Sequence, residues 1–111
     1  MRTLALNYTA NALLDGSGNG SFVAGPSFYG ESWNVTSTGL SAASATNPAA
    51  NIPQAKTFVG GMFLEGTYSG SLNSSDTVYT VHSGQQVVVT FVGGQPNDII
   101  TVTLLGTRVL P

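Results

Sequence analysis

The chain has 111 residues, enough for one domain that buries its own core without covalent cross-links. Charged residues make up only 7% of it, the net charge is −2, and there are three cations and no cysteine. Three cations are too few to neutralise a nucleic-acid backbone, and the lack of cysteine excludes disulfides, thiolate catalysis and the common structural zinc sites. A surface of hydroxyl and amide groups repels copies of itself only weakly, so it tolerates close neighbours.

The sequence gives no sign of membrane insertion or secretion. No apolar stretch approaches the roughly 18 residues of a membrane-spanning helix. The apolar run that follows Arg2 is too short for a signal peptide. We therefore expect a protein that is made in the cytoplasm and binds neither membrane nor nucleic acid.

Period-two alternation predicts β-strands along the whole chain, and helical periodicity is nearly absent. In the first half the predicted strands are Thr3–Thr9, Ser21–Ala24 and Glu31–Ser37. Alternation places Leu4, Leu6 and Tyr8 on one face of the first strand and turns Trp33 and Val35 of the third toward the core. Residues 38–55 are rich in small residues and predict loop, with one short strand near Leu40.

The second half predicts the strands Lys56–Leu64, Thr67–Leu72, Asp76–His82, Gln86–Val92 and Ile99–Leu105. Gly60-Gly61 inside the first of these indicates a bulge or a close backbone approach. Turn signals follow at Ser83-Gly84, which suggests a hairpin, and at residues 93–97. Seven to nine short strands, with turns about every 8–12 residues, predict an all-β protein. We expect a single antiparallel β-sandwich or jelly-roll-like domain spanning residues 1–111.

The segment Asp15-Gly-Ser-Gly-Asn-Gly20 begins like a calcium-binding loop, with oxygen-bearing side chains at alternate positions. Such a loop needs a bidentate glutamate at its twelfth position, where this chain has Pro26. A phosphate-binding loop needs a lysine after the glycines, where this chain has Ser21. The segment therefore predicts a turn that connects two strands in a hairpin.

The ionisable residues do not form a catalytic pattern. His82 is the only histidine, and no serine lies in a nucleophile-elbow sequence. We interpret His82 as a surface residue and the five acids as solvated residues near strand ends: Asp15, Glu31, Glu65, Asp76 and Asp98. The sequence therefore predicts no enzymatic activity, no metal and no cofactor.

Aromatic residues are the candidates for contact with a ligand or partner. Phe28 and Tyr29 fall in a predicted loop, and Tyr68 falls in a polar segment. Together they would give a platform on which sugar rings can stack, whereas Trp33 alternates in register with Val35 and is expected in the core. A carbohydrate-binding or host-adsorption module is therefore one functional hypothesis.

The order of turns and core positions resembles a family of small all-β virion proteins, minor tail or head-associated, of tailed phages that infect actinobacteria. The resemblance is carried by Gly18-x-Gly20, Gly25-Pro26, Glu31-Ser-Trp33-Asn-Val35, residues 66–76, Gly84 to Phe91, Gly93-Gly94 and the closing stretch to Arg108. It covers most of residues 16–108 and includes no catalytic signature. The chain departs from it at Phe91, where a tryptophan is expected, and over residues 40–55.

The resemblance implies a structural protein of the virion, which decorates the capsid or forms part of the tail through non-catalytic contacts. Its partners would be the major capsid or tail proteins and copies of itself, such as a trimer. A glycan on the host surface is a further potential ligand. The first strand could also be lent to a neighbouring subunit.

Overall fold

A computed structural model describes residues 2–43, 51–66 and 73–111. Within these ranges the chain forms nine strands in two antiparallel sheets, which confirms the predicted all-β sandwich. The long sheet contains β1 (Arg2–Leu13), β3 (Ser32–Ala42), β6 (Asn73–Ser75), β7 (Tyr79–Val81) and β9 (Ile99–Leu110). The short sheet contains β2 (Gly20–Ala24), β4 (Gln54–Val59), β5 (Met62–Gly66) and β8 (Val87–Val92). The strand predicted over Thr67–Leu72 lies outside the described residues.

The strand order is that of a jelly roll. The long sheet runs β1-β9-β3, and both β6 and β7 pair with the far side of β3. The short sheet runs β2-β8-β4-β5. If β6 and β7 are counted as two pieces of one interrupted strand, eight strands remain, four in each sheet, and only the β4–β5 hairpin keeps consecutive strands in the same sheet, as in the double Greek key of that fold.

Alternate residues of the facing strands fill the space between the sheets. Val87, Val89 and Phe91 of β8 are buried, and the rings of Phe91 and Phe22 meet edge to face at 6.1 Å. Trp33 and Val35 lie in the core as predicted. β9, which pairs with β3 in the same sheet, contributes Ile100, Val102 and Leu104. Leu4 departs from the prediction because β1 extends beyond the sandwich at this end, leaving the side chain 41% exposed.

The strands of the long sheet are longer than the sequence predicts. β3 continues through Leu40 to Ala42, so the short strand predicted near Leu40 is the end of β3. It pairs with β9 along this whole length, with one bulge between Val35 and Ser37. The hydrogen bonds to β9 therefore keep the second half of β3 in a strand, although several of its small residues have a weak propensity for strand.

The pair Gly60-Gly61 is a hairpin turn, so the single strand predicted over Lys56–Leu64, with a bulge at the glycines, is wrong. The alternative prediction, a close backbone approach, agrees with the 3.0 Å hydrogen bond that Gly60 N donates to Gln86 O. Val59 pairs with Met62, which leaves the two glycines as a two-residue loop between β4 and β5. Their φ angles of 58° and 84° suit the type I′ turn that joins twisted antiparallel strands. The bulge lies on β5 instead, where the register shifts between Phe63 and Glu65.

Two predicted hairpins are turns that cross between the sheets. The chain turns at Ser83-Gly84 as predicted, but β7 belongs to the long sheet and β8 to the short one. The turn after Asp15 likewise joins β1 to β2 in the opposite sheet. Turn residues mark where the chain changes direction, whereas the partner of the next strand is decided by long-range packing.

Candidate functional site

The two described aromatic candidates lie together on one exposed loop. Residues 25–31, here called the aromatic loop, connect β2 to β3. Phe28 is 59% exposed and Tyr29 is 96% exposed, so both rings are available to a ligand or partner. Tyr68, the third candidate, lies outside the described residues.

The aromatic loop is anchored by a buried carboxylate. Glu31 is 1% exposed, and its Oε2 accepts a 2.6 Å hydrogen bond from Trp33 Nε1. Arg108 donates to the same carboxylate through Nε to Oε2 at 3.3 Å and through Nη2 to Oε1 at 3.2 Å. The prediction of a solvated strand-end acid is therefore wrong for Glu31. A buried charge is retained because its oxygens are paired with a cation and an indole N–H.

The Arg108 guanidinium hydrogen-bonded to Glu31 lowers the pKa of that carboxyl, and the Trp33 N–H lowers it further, whereas burial alone would raise it.

The aromatic loop is held by further hydrogen bonds, one within the loop and one to a residue outside it. Glu31 N donates to the Phe28 carbonyl at 3.0 Å, and Gly30 N donates to Ser83 Oγ at 3.3 Å. The exposed rings are thus carried by a loop held at its C-terminal end and on one side.

Two open grooves flank the aromatic loop and share the rings of Tyr8 and Trp33, whose centroids are 6.2 Å apart. The first, about 410 Å³, is bordered by residues 23–26 and 84–86. The second, about 350 Å³, is bordered by residues 5–8, Ser27 and the Glu31–Arg108 pair. Since Trp33 is 6% exposed, it supports the wall of both grooves and offers little ring face for stacking.

The segment from Asp15 to Gly20 is a turn, as predicted, and its oxygens are used by the chain's own amides. Asp15 Oδ1 accepts hydrogen bonds from Ser17 N at 2.8 Å and Asn19 N at 3.0 Å. Amide donation from Asn19 and then Ser17 lowers the pKa of Asp15. Asn19 Oδ1 in turn accepts from Gly93 N at 3.1 Å, which docks this turn on the turn after β8. The oxygens that resemble a calcium loop therefore have a structural role.

The remaining acids and the histidine have separate positions. Glu65 Oε2 accepts hydrogen bonds from Ser75 Oγ at 2.8 Å and Thr77 Oγ1 at 3.0 Å, which ties the edge of the short sheet to the long sheet. His82 is exposed, as predicted. Among residues 2–43, 51–66 and 73–111 there is no cluster of three His, Cys, Asp or Glu that could hold a metal ion.

An apolar row crosses the outer face of the short sheet, and sequence reasoning missed it. The register places Val23 opposite Val88, Val88 opposite Phe58, and Phe58 opposite Phe63. Opposed residues of a sheet share a face, so these four side chains, here called the apolar row, lie side by side. The rings of Phe58 and Phe63 meet edge to face, with their centroids 5.7 Å apart. The row becomes visible only once the Gly60-Gly61 hairpin is known.

The chain gives no match to any protein-family model or to any curated protein sequence. In the part of the chain that the structure describes, no helix is long and apolar enough to cross a membrane.

The Glu31 carboxylate predicts a defined acid sensitivity. Because its pKa is lowered in the folded state, the native protein binds fewer protons than the unfolded chain where a free glutamate titrates. The stability contributed by Glu31 is present above that range and is lost as the pH falls through it toward the folded pKa. We expect Glu31→Gln to lower the free energy of unfolding at pH 7 by about 1–3 kcal/mol, because Arg108 loses its charged acceptor.

The measurement is urea unfolding of both proteins at neutral and acidic pH. The difference between them should shrink as the pH falls. Asp76→Asn removes the same charge at an exposed position and serves as the control, with an expected change within about 0.5 kcal/mol. An equal loss in the two variants, or a Glu31→Gln loss that does not depend on pH, would contradict a paired, buried carboxylate.

Proposed function

We propose that this protein is a structural, non-catalytic component of a tailed-phage virion, which decorates the capsid or forms part of the tail. Its partners are the major capsid or tail proteins and copies of itself, in a homo-oligomer such as a trimer on a threefold position of the capsid. The observation that carries the proposal is the apolar row on a protein in which 7% of the residues are charged.

The apolar row has the make-up of a contact surface. At its ends, Val23 is 52% exposed and Phe63 is 60% exposed. The next row of the same face pairs Ser21 with Thr90 and Thr90 with Lys56, which gives the patch a polar border. Protein interfaces combine an apolar centre with a polar rim, and contiguous exposed apolar side chains mark interaction sites.

A repeated lattice is the kind of partner that this surface fits. Each copy contributes a modest apolar contact, and many copies on one particle are held by the sum of their contacts. The low charge density limits repulsion between neighbours at high local concentration. The resemblance of the turns and core positions to small virion proteins then supplies the class of particle, and the phage host is where the chain would be made.

A second candidate, a glycan-binding or host-adsorption module, is favoured by the exposure of Tyr29 and Phe28 on an anchored loop. Exposed aromatic rings stack against the apolar faces of sugars. The two functions are compatible on one virion, since the aromatic loop and the apolar row are different parts of the surface. Jelly rolls occur in both viral capsid and lectin domains, so the fold by itself supports either function.

The apolar row predicts which substitutions prevent incorporation into particles. Val23→Ser with Phe63→Ser removes the exposed apolar side chain at each end of the row. We expect the variant to fold but to be incorporated at least about tenfold less than the wild-type chain, when both are co-expressed during infection by the phage and quantified in purified particles.

Val78→Ser is the matched control, because Val78 is 69% exposed and does not belong to the row. Its incorporation should equal that of the wild type. Equal incorporation of all three proteins would contradict the role of the apolar row.

The aromatic loop predicts the result of a glycan-array experiment for the second candidate. If the loop binds sugars, the wild-type protein binds a subset of host-surface glycans and Tyr29→Ala loses that binding, while Val78→Ser retains it. A wild-type protein that binds no glycan would remove the adsorption function and leave the structural one in place.

A further inference from the structure

The outer edge of β1 is long and regular. β1 pairs with β9 through all twelve of its residues, from Arg2 opposite Leu110 to Leu13 opposite Ile99, with no shift in register. On its other side, no strand of residues 2–43, 51–66 and 73–111 pairs with it. Since backbone groups of an edge strand point alternately toward and away from the sheet, β1 presents hydrogen-bonding groups along about 40 Å.

The other sheet edges in the described part of the chain are shielded. On β5 the register shifts at a bulge, and Glu65 turns inward to accept hydrogen bonds from Ser75 and Thr77. β2 has only five residues, and β6 and β7 have three each. Bulges, inward charges and short strands are the usual means by which proteins prevent unwanted pairing at an edge.

The β1 edge has none of these features. From Thr3 to Leu13 the strand contains no charged residue and no proline. The side chains on its outward face are small or uncharged, and Thr3, Ala5, Asn7, Thr9, Asn11 and Leu13 are all exposed. A single charge, Arg2, lies at its start. The edge is therefore open to another strand over nearly its full length.

We propose that β1 pairs antiparallel with β1 of a second copy, so that the long sheet continues across a two-fold axis. The inference deepens the proposed function, on which its biological setting rests, by naming one contact between copies. A second copy fits because β1 has no charge between Thr3 and Leu13, so self-pairing over these residues places no like charges opposite each other. The same pairing satisfies the backbone groups of both edges.

The side chains of β1 suit self-pairing about an axis at Tyr8. In that register Leu4 lies opposite Ala12 and Leu6 opposite Ala10, so each leucine meets a small side chain, while the two Tyr8 side chains meet at the axis as an aromatic cross-strand pair. On the outward face Asn7 lies opposite Thr9, which brings an amide within reach of a hydroxyl. Each Arg2 falls beyond Leu13 of the partner, so the two cations stay far apart. We therefore assign this register to the contact.

The proposal is tested on the isolated full-length chain by sedimentation equilibrium. The wild type should form a dimer, or a hexamer in which the two-fold β1 contact joins two trimers. Asn7→Lys with Thr9→Lys places cations opposite cations across the axis and should weaken the association at least about tenfold. Both residues are exposed on an edge, and circular dichroism verifies that the variant keeps the fold. Ser74→Lys with Thr80→Lys adds the same charge to exposed positions at the opposite edge of the long sheet and should leave the association unchanged.

Oxidative cross-linking tests the register, because the natural chain has no cysteine. Asn7→Cys with Thr9→Cys should form a disulfide-linked dimer, whereas Asn11→Cys, which lies opposite Ala5, should not. A monomeric wild type, an association that survives the Asn7→Lys and Thr9→Lys changes, or cross-linking of Asn11→Cys alone would overturn the proposal.

The β1 contact and the proposed virion function can be contradicted separately. A protein that is monomeric in solution but abundant in purified particles would remove the β1 contact and leave the proposed function. A β1-dependent dimer that is absent from particles would keep the contact and remove the virion role.

Discussion

The difference in length between the two sheets is the constraint from which the other features follow. β1, β3 and β9 have 11 or 12 residues, whereas the strands of the short sheet have five or six. A sandwich of this kind cannot cover the whole inner face of its longer sheet. At one end of the long sheet, Ser27 and Glu31 of the aromatic loop border the same groove as Leu6 and Trp33, and the Glu31–Arg108 pair holds the loop there. The buried charge is thus a consequence of closing an open sandwich with a loop.

The same constraint separates the surfaces available to partners. The long sheet has a free edge at β1, which is 12 residues long, and this edge is suited to pairing with another strand. The short sheet carries its apolar side chains on a face, which is suited to a flat neighbour. The loop at the end of the sandwich presents Phe28 and Tyr29, which are suited to a ring-shaped ligand or a partner pocket. The structural function proposed above would use the first two surfaces, and the proposed glycan-binding function would use the third.

Local patterns predicted the strands and turns well, and failed wherever the answer depends on a distant residue. Alternation placed Trp33 and Val35 in the core, because the period of a strand is a local property. The burial of Glu31 could not be read from its neighbours, since the cation that stabilises it lies 77 residues along the chain. The apolar row was missed for the same reason, because its members come from four strands. The exposure of Phe28 and Tyr29 was predicted correctly, because an aromatic residue in a predicted loop can be recognised from the sequence alone.

The central claim is that this chain is a repeated structural component of a virion, and the copy number per particle tests it most directly. Particles would be purified from the source of the chain and separated into heads and tails, and the polypeptide would be quantified in each fraction by mass spectrometry. The account predicts many copies that follow one of the two fractions, with the heads indicating capsid decoration and the tails indicating a tail component. No copies in either fraction would contradict the claim and leave a jelly-roll binding module.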